Sequence, residues 1–297
     1  MQFLQLVISG VAQGCIYGLI ALGFVLIYKA TETVNFAQGD LMMLGGFLGL
    51  SFMVVLGMPF WAAFLATLAV MLAFGMLMER ALLRPLLGQP AFTVVMLTIG
   101  VGYLARGLVT MIPGWGTDTH TLPVPYGDEV LRFVVGSGNE PLVLSMEHLV
   151  IIVVTAFLIA ILFLFFRYTK LGVAMQATSQ NQLAAFYMGI PVRRINMLVW
   201  GISAAVSACA GLLLAPITFV HANMGYIGLK AFPAAVVGGF GSIPGALVGG
   251  LIIGIVESLS GFYLPEGFKD IAAYIVVLAM LVVLPDGLFG DKMKKKV

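Results

Sequence analysis

Gly172-Val-Ala-Met-Gln-Ala-Thr-Ser-Gln-Asn-Gln-Leu-Ala-Ala-Phe-Tyr-Met-Gly189-Ile-Pro191 is a run of polar and small residues set between two long apolar stretches. It forms the middle of a loop from Arg167 to Asn196. That loop carries Arg167, Lys170, Arg193 and Arg194, four of only 15 basic residues in the chain. A sequence this sparing with polar side chains has little reason to keep such a loop unless something docks there. Of the 297 residues, 61% are hydrophobic and 9% charged, where a soluble domain carries roughly 25% charged residues. The mean hydropathy is +1.08. Such a chain cannot cover itself in water, so its solvent is lipid. The expected fold is an all-α polytopic membrane helix bundle, with 1–297 as one transmembrane domain.

A span needs about 20 mainly apolar residues. The stretches 3–28, 41–57, 60–78, 91–112, 147–166, 197–220 and 271–288 qualify as seven full spans. The stretch 231–259 is equally apolar but is interrupted by Gly238-Gly-Phe-Gly-Ser-Ile-Pro-Gly245. Glycine and proline at that density end a helix, and backbone at membrane depth must still be satisfied. A re-entrant pair of shorter helices is therefore expected there, about eight to nine helices in all. The N-terminus then lies outside and the C-terminus in the cytoplasm. Lys29, Arg80, Arg84, Arg167, Lys170, Arg193, Arg194, Lys292, Lys294, Lys295 and Lys296 fall inside, and only Arg132, Lys230 and Lys269 outside. That asymmetry is the positive-inside pattern. No Lys or Arg precedes Lys29, so no signal peptide is read. Cys15 and Cys209 lie in apolar segments and no disulfide is expected.

The segment 113–146 falls outside and reads as an acidic, turn-rich cap with Asp118, Asp128, Glu129 and Glu140. Trp115 and Tyr126 suit interfacial anchoring, with contact to an external protein as the alternative. An offset of 193 residues superposes Gly45-Gly46-Phe47 on Gly238-Gly239-Phe240 and Gly18 on Gly211. The two copies run in opposite senses, which is the form of an inverted repeat, whose binding and gating elements lie at the repeat interface.

Polar groups cluster in Thr33-Val-Asn-Phe-Ala-Gln-Gly-Asp40. Asn35 and Asp40 suit helix N-caps; the functional reading sends Asn35 and Gln38 toward a translocation path. At Gly238, Gly239, Gly241 and Ser242 a broken helix exposes N–H groups and a positive dipole end, while the plainer role is tight packing. Arg106 is the basic residue well inside a span, read either as snorkelling outward or as attracting an anionic group. Glu147 and Glu257 read as solvated near outer helix ends. No Gly-x-x-x-x-Gly-Lys-Ser/Thr motif is present, and His120, His148 and His221 are too scattered for metal binding. No cofactor, metal or catalytic residue is expected. If transport is driven, the energy enters from a partner. The port is the loop: 173–188 is expected as a surface helix, with Gly189 at a left-handed C′ position and Pro191 stopping it.

These residues resemble the LivH-type permeases of ABC importers for branched-chain amino acids, nearly end to end. The resemblance rests on Val34-Asn-Phe-Ala-Gln-Gly-Asp40 with Gly45-Gly46, on Gly172…Gly189-Ile190, and on Val237-Gly-Gly-Phe-Gly-Ser242 with Gly245-Ala and Gly249-Gly250. It implies a bacterial plasma-membrane permease without its own ATPase site. The implied partners are a second homologous permease, two cytoplasmic ATP-binding subunits and an external solute-binding protein. The loop is similar to the family's coupling segment, in which Gly172, Ala177, Gln180, Asn181, Ala184, Gly189 and Pro191 fall. Members often carry a basic residue where Gln176 stands and an acidic one near Gln180-Asn181. This chain is neutral at both, which speaks against charged pairing there but not against docking. The path and gate fall to Asn35, Gln38, Asp40, Gly45, Gly46 and the Gly238–Ser242 break. A permease for urea or short amides is the alternative, and a gradient-driven carrier or channel the more distant one. In vesicles of known orientation, a Ser179→Cys variant is expected to react with an impermeant thiol reagent only from the cytoplasmic side; labelling from outside in intact cells would remove the docking port.

Overall fold

The computed structural model describes residues 2–86, 89–116, 118–127, 130–133 and 142–290. The Lys292–Lys296 tail and Asp128, Glu129 and Glu140 lie outside the described residues. The helices are α1 (Gln2–Thr31), α2 (Gln38–Val54), α3 (Phe60–Met78), α4 (Ala91–Met111), α5 (Met146–Tyr168), α6 (Lys170–Gln180), α7 (Gln182–Tyr187), α8 (Val192–Thr218), α9 (Gly225–Gly238), α10 (Ile243–Tyr263) and α11 (Phe268–Val283). Among the described residues six helical stretches are long and apolar enough to cross a membrane: Gln2–Thr31, Phe60–Leu86, Phe92–Met111, Met146–Tyr168, Val192–Thr218 and Ile243–Tyr263. The protein is a polytopic helical membrane protein. Two short strands, β1 (Val130–Phe133) and β2 (Leu142–Ser145), pair antiparallel within the expected outer cap.

The span count departs from the sequence expectation. Within 231–259, α9 has 14 residues but α10 has 21 and is span-length by itself. Conversely α2 has 17 residues and α11 has 16, short of the ~20 a full crossing needs. The reason lies in how glycine is used. Gly239 has φ +95° and ends α9, and Ser242 starts α10 afresh by accepting from the Gly245 N–H at 3.1 Å. The later glycines of α10 do not break it, because they are contact surface.

Gly10 and Gly14 of α1 meet the backbones of Ile255 and Leu251, while Gly250 and Gly254 meet Gly18 and Gly14. A Cβ on Gly250 would stand 2.4 Å from the Gly18 nitrogen, so bare backbone is what lets these helices touch. The same contacts make α1 and α10 antiparallel. α8 also runs against α1, since Ser203 donates to Gly23 O and Leu26 lies beside Val199. α2 runs with α8, from Gln38 beside Ser203 to Gly49 beside Leu212. α1 and α8 are the buried centre of the bundle. α4 and α5 lie at its edge, with Phe92, Tyr103, Leu104, Phe157 and Phe163 exposed.

An inverted pair of elements is present, but not in the register of the Gly-Gly-Phe triplets. α1 ends at Thr31 and α8 at Thr218; α2 begins at Gln38 and α9 at Gly225. Glu32 (φ +54°) and Phe219 (φ +62°) follow the two long helices and are the non-glycine residues with positive φ among the described residues. Each of these three pairs is 187 residues apart. Such a backbone costs about 1–3 kcal/mol per site, so both repeats keep the same strained exit from a long helix. The short helices that follow run in opposite senses and start against each other, Gly39 touching Gly225 and Gly228. In contrast, Gly45 and Gly46 are mid-helix in α2, whereas Gly238 and Gly239 end α9.

Gly250→Val is expected to force α1 and α10 apart and to lose about 1–3 kcal/mol through overpacking, read as a lower unfolding midpoint in detergent. Gly100→Ala, where an added Cβ meets nothing within 4 Å, is expected to leave the midpoint unchanged or raise it.

Candidate functional site

The α1–α2 break carries a fully buried polar knot. Asn35 Oδ1 accepts from the Ala37 N–H at 3.1 Å, and Asn35 Nδ2 donates to Gln38 Oε1 at 3.0 Å. Gln38 Nε2 donates to Ser203 Oγ at 2.9 Å and Ser207 Oγ at 2.5 Å, and Ser203 Oγ donates on to Gly23 O at 3.0 Å. One amide thus ties α1, α2 and α8 together. The knot leaves Asn35 and Gln38 at 0% exposure, facing each other and α8 rather than an open cavity.

Asp40 is not an N-cap: α2 starts after Ala37, which makes no side-chain cap. Instead Asp40 reaches α4, where Arg106 Nε donates to Oδ1 at 2.5 Å and Nη2 to Oδ2 at 3.4 Å. Neither earlier reading of Arg106 included this partner. An arginine alone at the bilayer centre costs roughly 2.5–3.5 kcal/mol on insertion scales; the pair is neutral. The carboxylate fits because Gly102 and Gly225 have no side chains, and a Cβ on either would fall within 2.5 Å of an Asp40 oxygen. The Arg106 guanidinium lies 3.9 Å over the Tyr226 ring and 5.5 Å from that of Tyr103.

A second charged group sits where solvated residues were expected. Glu257 is buried at 3% exposure; it accepts from Tyr17 Oη at 2.5 Å and from Lys230 Nζ at 3.3 Å. Lys230, read as an outer-loop cation, lies within α9 and also donates to Asp270 at 2.6 Å. Trp115 and Tyr126 also turn inward. Trp115 stacks on Phe47 and donates to Ser51 Oγ at 2.6 Å, and Tyr126 meets Phe60 edge-on. They clamp the segment that follows α4 to the bundle.

The glycine break lies beside the last turn of α1 and α6, with Phe240 against Tyr28 and Gly241 sharing a cavity with Lys29 and Gln176. Gly238 packs directly on Gly245, and Leu288 N and Phe289 N donate to the carbonyls of Val237 and Gly238. Gly241 and Ser242 line a cavity of about 450 Å³ with Leu22, Lys29, Phe166 and Gln176. Gly45 lets α2 approach Ala208 of α8, and Gly46 makes only ordinary contacts with Val220 and Met224.

The expected single helix over 173–188 is two. Thr169 caps α6 by accepting from the Gly172 N–H at 3.0 Å; Asn181 ends α6 and caps α7, accepting from the Ala184 N–H at 2.9 Å. An Asn that satisfies the next helix's N-terminus breaks the run. Gly189 is left-handed at φ +82° and Pro191 precedes α8. Gln180, Asn181, Ala184 and Gly189 are exposed, and Ala177 is half-buried. Tyr187 and Met188 are 82% and 83% exposed, beside exposed Leu183 and Phe186. Next to them is a notch of about 660 Å³ lined by Gln182, Leu183, Phe186, Pro191, Arg193 and Arg194. This apolar face is stronger than the sequence suggested. Among the described residues no cluster of His, Cys, Asp and Glu could hold a metal.

The family described as branched-chain amino acid transport system permease component matches residues 6–285. The chain belongs to that family. The LivH permease of Escherichia coli K12, named as part of a high-affinity branched-chain amino acid transport system, is 33% identical over 100% of this chain and 98% of its own length. The BraD permease of Pseudomonas aeruginosa is 31% identical over 99% and 98%. The fructose import permease FruG of Bifidobacterium longum is 24% identical over 85% and 75%. No solved structure matches. The protein is thus a multi-pass permease component of a branched-chain amino acid ABC transport system, and not a catalytic subunit.

In this permease the ion pair joins residues 66 apart on helices that sequence reading treated separately. The signal that could have found it is that 33–57 and 91–111 hold one charged residue each, Asp40 and Arg106, of opposite sign. Arg106→Gln and Asp40→Asn are each expected to destabilise the permease by about 3–5 kcal/mol, because each leaves a buried charge alone. The double variant is expected to lose less than either single one. Unfolding midpoints of the four proteins in detergent form the cycle, and additive losses would refute the pairing.

Proposed function

We propose that the permease carries branched-chain amino acids inward as one subunit of a heteromeric importer. Its partners are a second homologous permease, two cytoplasmic ATP-binding subunits and an external solute-binding protein. Its N-terminus lies outside and its C-terminus in the cytoplasm, with α6 and α7 at the inner surface. The single observation that carries this reading is α7: four exposed apolar side chains on six residues and the Met188 that follows, beside a notch. An apolar patch of that kind marks a protein or membrane contact, and the notch beside it, with Arg193 and Arg194 in its lining, supports a protein.

The route from α7 to the path is short. Gln182 Nε2 donates to the Ala30 carbonyl at 2.6 Å, one residue before α1 ends. A pull on α7 therefore reaches the strained Glu32 exit and, through Asn35 and Gln38, the start of α2 with Asp40. We assign gating to that break and to Gly45 and Gly46: at Gly45 α2 lies on the backbone of Ala208 in α8, and at Gly46 it lies on the Val220 and Met224 side chains that follow α8. We assign a second gate to Gly238, Gly239, Gly241 and Ser242, whose cavity also includes Gln176 of α6. Relatives carry both amino acids and fructose by name, so the substrate belongs to the test.

In proteoliposomes holding the whole importer, ATP-driven uptake of labelled leucine is expected, and uptake of urea is not. Gly189→Pro cannot adopt φ +82° and loses the N–H that bonds Phe186 O at 3.0 Å. It is expected to lower uptake by roughly tenfold or more, the equivalent of about 1.4 kcal/mol. Gln182→Ala is expected to leave ATP hydrolysis running while uptake falls. Full uptake in both variants, or urea carried as well as leucine, would overturn the reading.

A further inference from the structure

The Asp40–Arg106 pair is closed on one side and open on the other. The carboxylate is walled by the bare backbones of Gly102 and Gly225, and its side chain is 4% exposed. The guanidinium side chain is 17% exposed and looks out between Tyr226, 48% exposed, and Tyr103, 64% exposed. Its depth follows from the knot, because Gln38, two residues before Asp40, meets Ser203 opposite Gly23, well inside α1. A guanidinium has five N–H donors in a fixed fork. The two hydrogen bonds that Arg106 donates among the described residues both go to Asp40. Hydrocarbon has no acceptor for the others, so a lipid-covered face is the wrong surrounding for them.

We propose that Arg106, flanked by Tyr103 and Tyr226, holds the carboxylate of the transported amino acid, and that this face of α4 and α9 borders the substrate path. The proposal rests on the inward-transport reading above and names the recognition residues within it. A carboxylate supplies the acceptors that the free edge of the fork lacks. The two exposed rings supply apolar faces for an aliphatic side chain and π-faces for an ammonium. Asp40 is a positioning residue: by taking Nε it fixes the guanidinium plane and turns the other edge outward. It also cancels the net charge of the arginine, so the ligand is held by the free N–H donors and weakly enough to leave, as conduction requires. The positive N-terminal ends of α2 and α9, meeting at Gly39 and Gly225, reinforce attraction for an anion.

Gly107 provides a reporter, since it lies one turn from Tyr103 and an added Cβ there meets nothing within 4 Å. The whole importer carrying Gly107→Cys is reconstituted in proteoliposomes and treated with a membrane-impermeant methanethiosulfonate, with the unsubstituted importer as control for Cys15 and Cys209. Reaction is expected, and millimolar leucine is expected to slow it, whereas leucinol, which lacks the carboxylate, is not. With Arg106→Lys, roughly tenfold more leucine is expected for the same protection, because a point charge replaces the fork. With Asp40→Asn/Arg106→Gln, which leaves no buried charge alone, protection by leucine is expected to vanish. An unreactive Gly107→Cys, equal protection by leucinol, or unchanged protection in either Arg106 variant would overturn the proposal. ATP-driven leucine uptake in the same proteoliposomes separates the two readings. Uptake with any of those overturning results removes this site alone, and absent uptake in the unsubstituted importer removes the transport reading itself.

Discussion

A backbone group left unpaired in hydrocarbon has no water to turn to, and this chain interrupts its helices beside two long central ones. Everything else is arranged around sealing those interruptions. After Thr31, the Phe36 N–H donates to Thr98 Oγ1 at 3.2 Å and the Ala37 N–H to Asn35 Oδ1. After Thr218, Val220 exchanges both backbone hydrogen bonds with His120 of the α4–α5 connection, at 2.9 and 2.8 Å. The polar residues that look out of place in so apolar a sequence are those that close the breaks. Their burial is the condition for keeping two short helices whose ends meet at depth.

Bare backbone is the second recurring device, and it serves packing and chemistry together. Along α1 and α10 it brings two long helices into contact; at Gly39, Gly225 and Gly228 it lets two helix N-termini touch. At Gly102 and Gly225 it makes room for a carboxylate that no other side chain would leave. The choice between packing and function at these glycines is therefore not a choice. The close approach that excludes a Cβ is what positions the charged pair.

Composition and apolar run length were enough to read the bundle, and the basic loop with Gly189 and Pro191 was legible because local backbone demands are written locally. What stayed hidden involves distance along the chain. Arg106 reads as unpartnered until α4 is laid beside α2, and Glu257 reads as solvated until Tyr17 and Lys230 arrive from other helices. The register of 187 leaves no matching triplet, because Glu32 and Phe219 share a backbone angle and not a side chain. The Gly-Gly-Phe match was visible but occupies unlike places. Asn181 stays exposed in the loop, and its carboxamide caps α7 and splits the expected helix in two.

The two breaks differ in what holds them from outside the bundle. The α8–α9 break is tied to the α4–α5 connection through His120, while the end of α1 is tied to α7 through Gln182 and the Ala30 carbonyl. The two breaks meet where Gly39 touches Gly225 and Gly228. The Asp40–Arg106 pair lies at that contact. Any movement that separates α2 from α9 must therefore also change how Arg106 is held, with Tyr226 carried on α9 and Asp40 on α2. Close-packed helices shift between discrete arrangements and do not deform smoothly, so the seat of the guanidinium and the joint between the repeats change together.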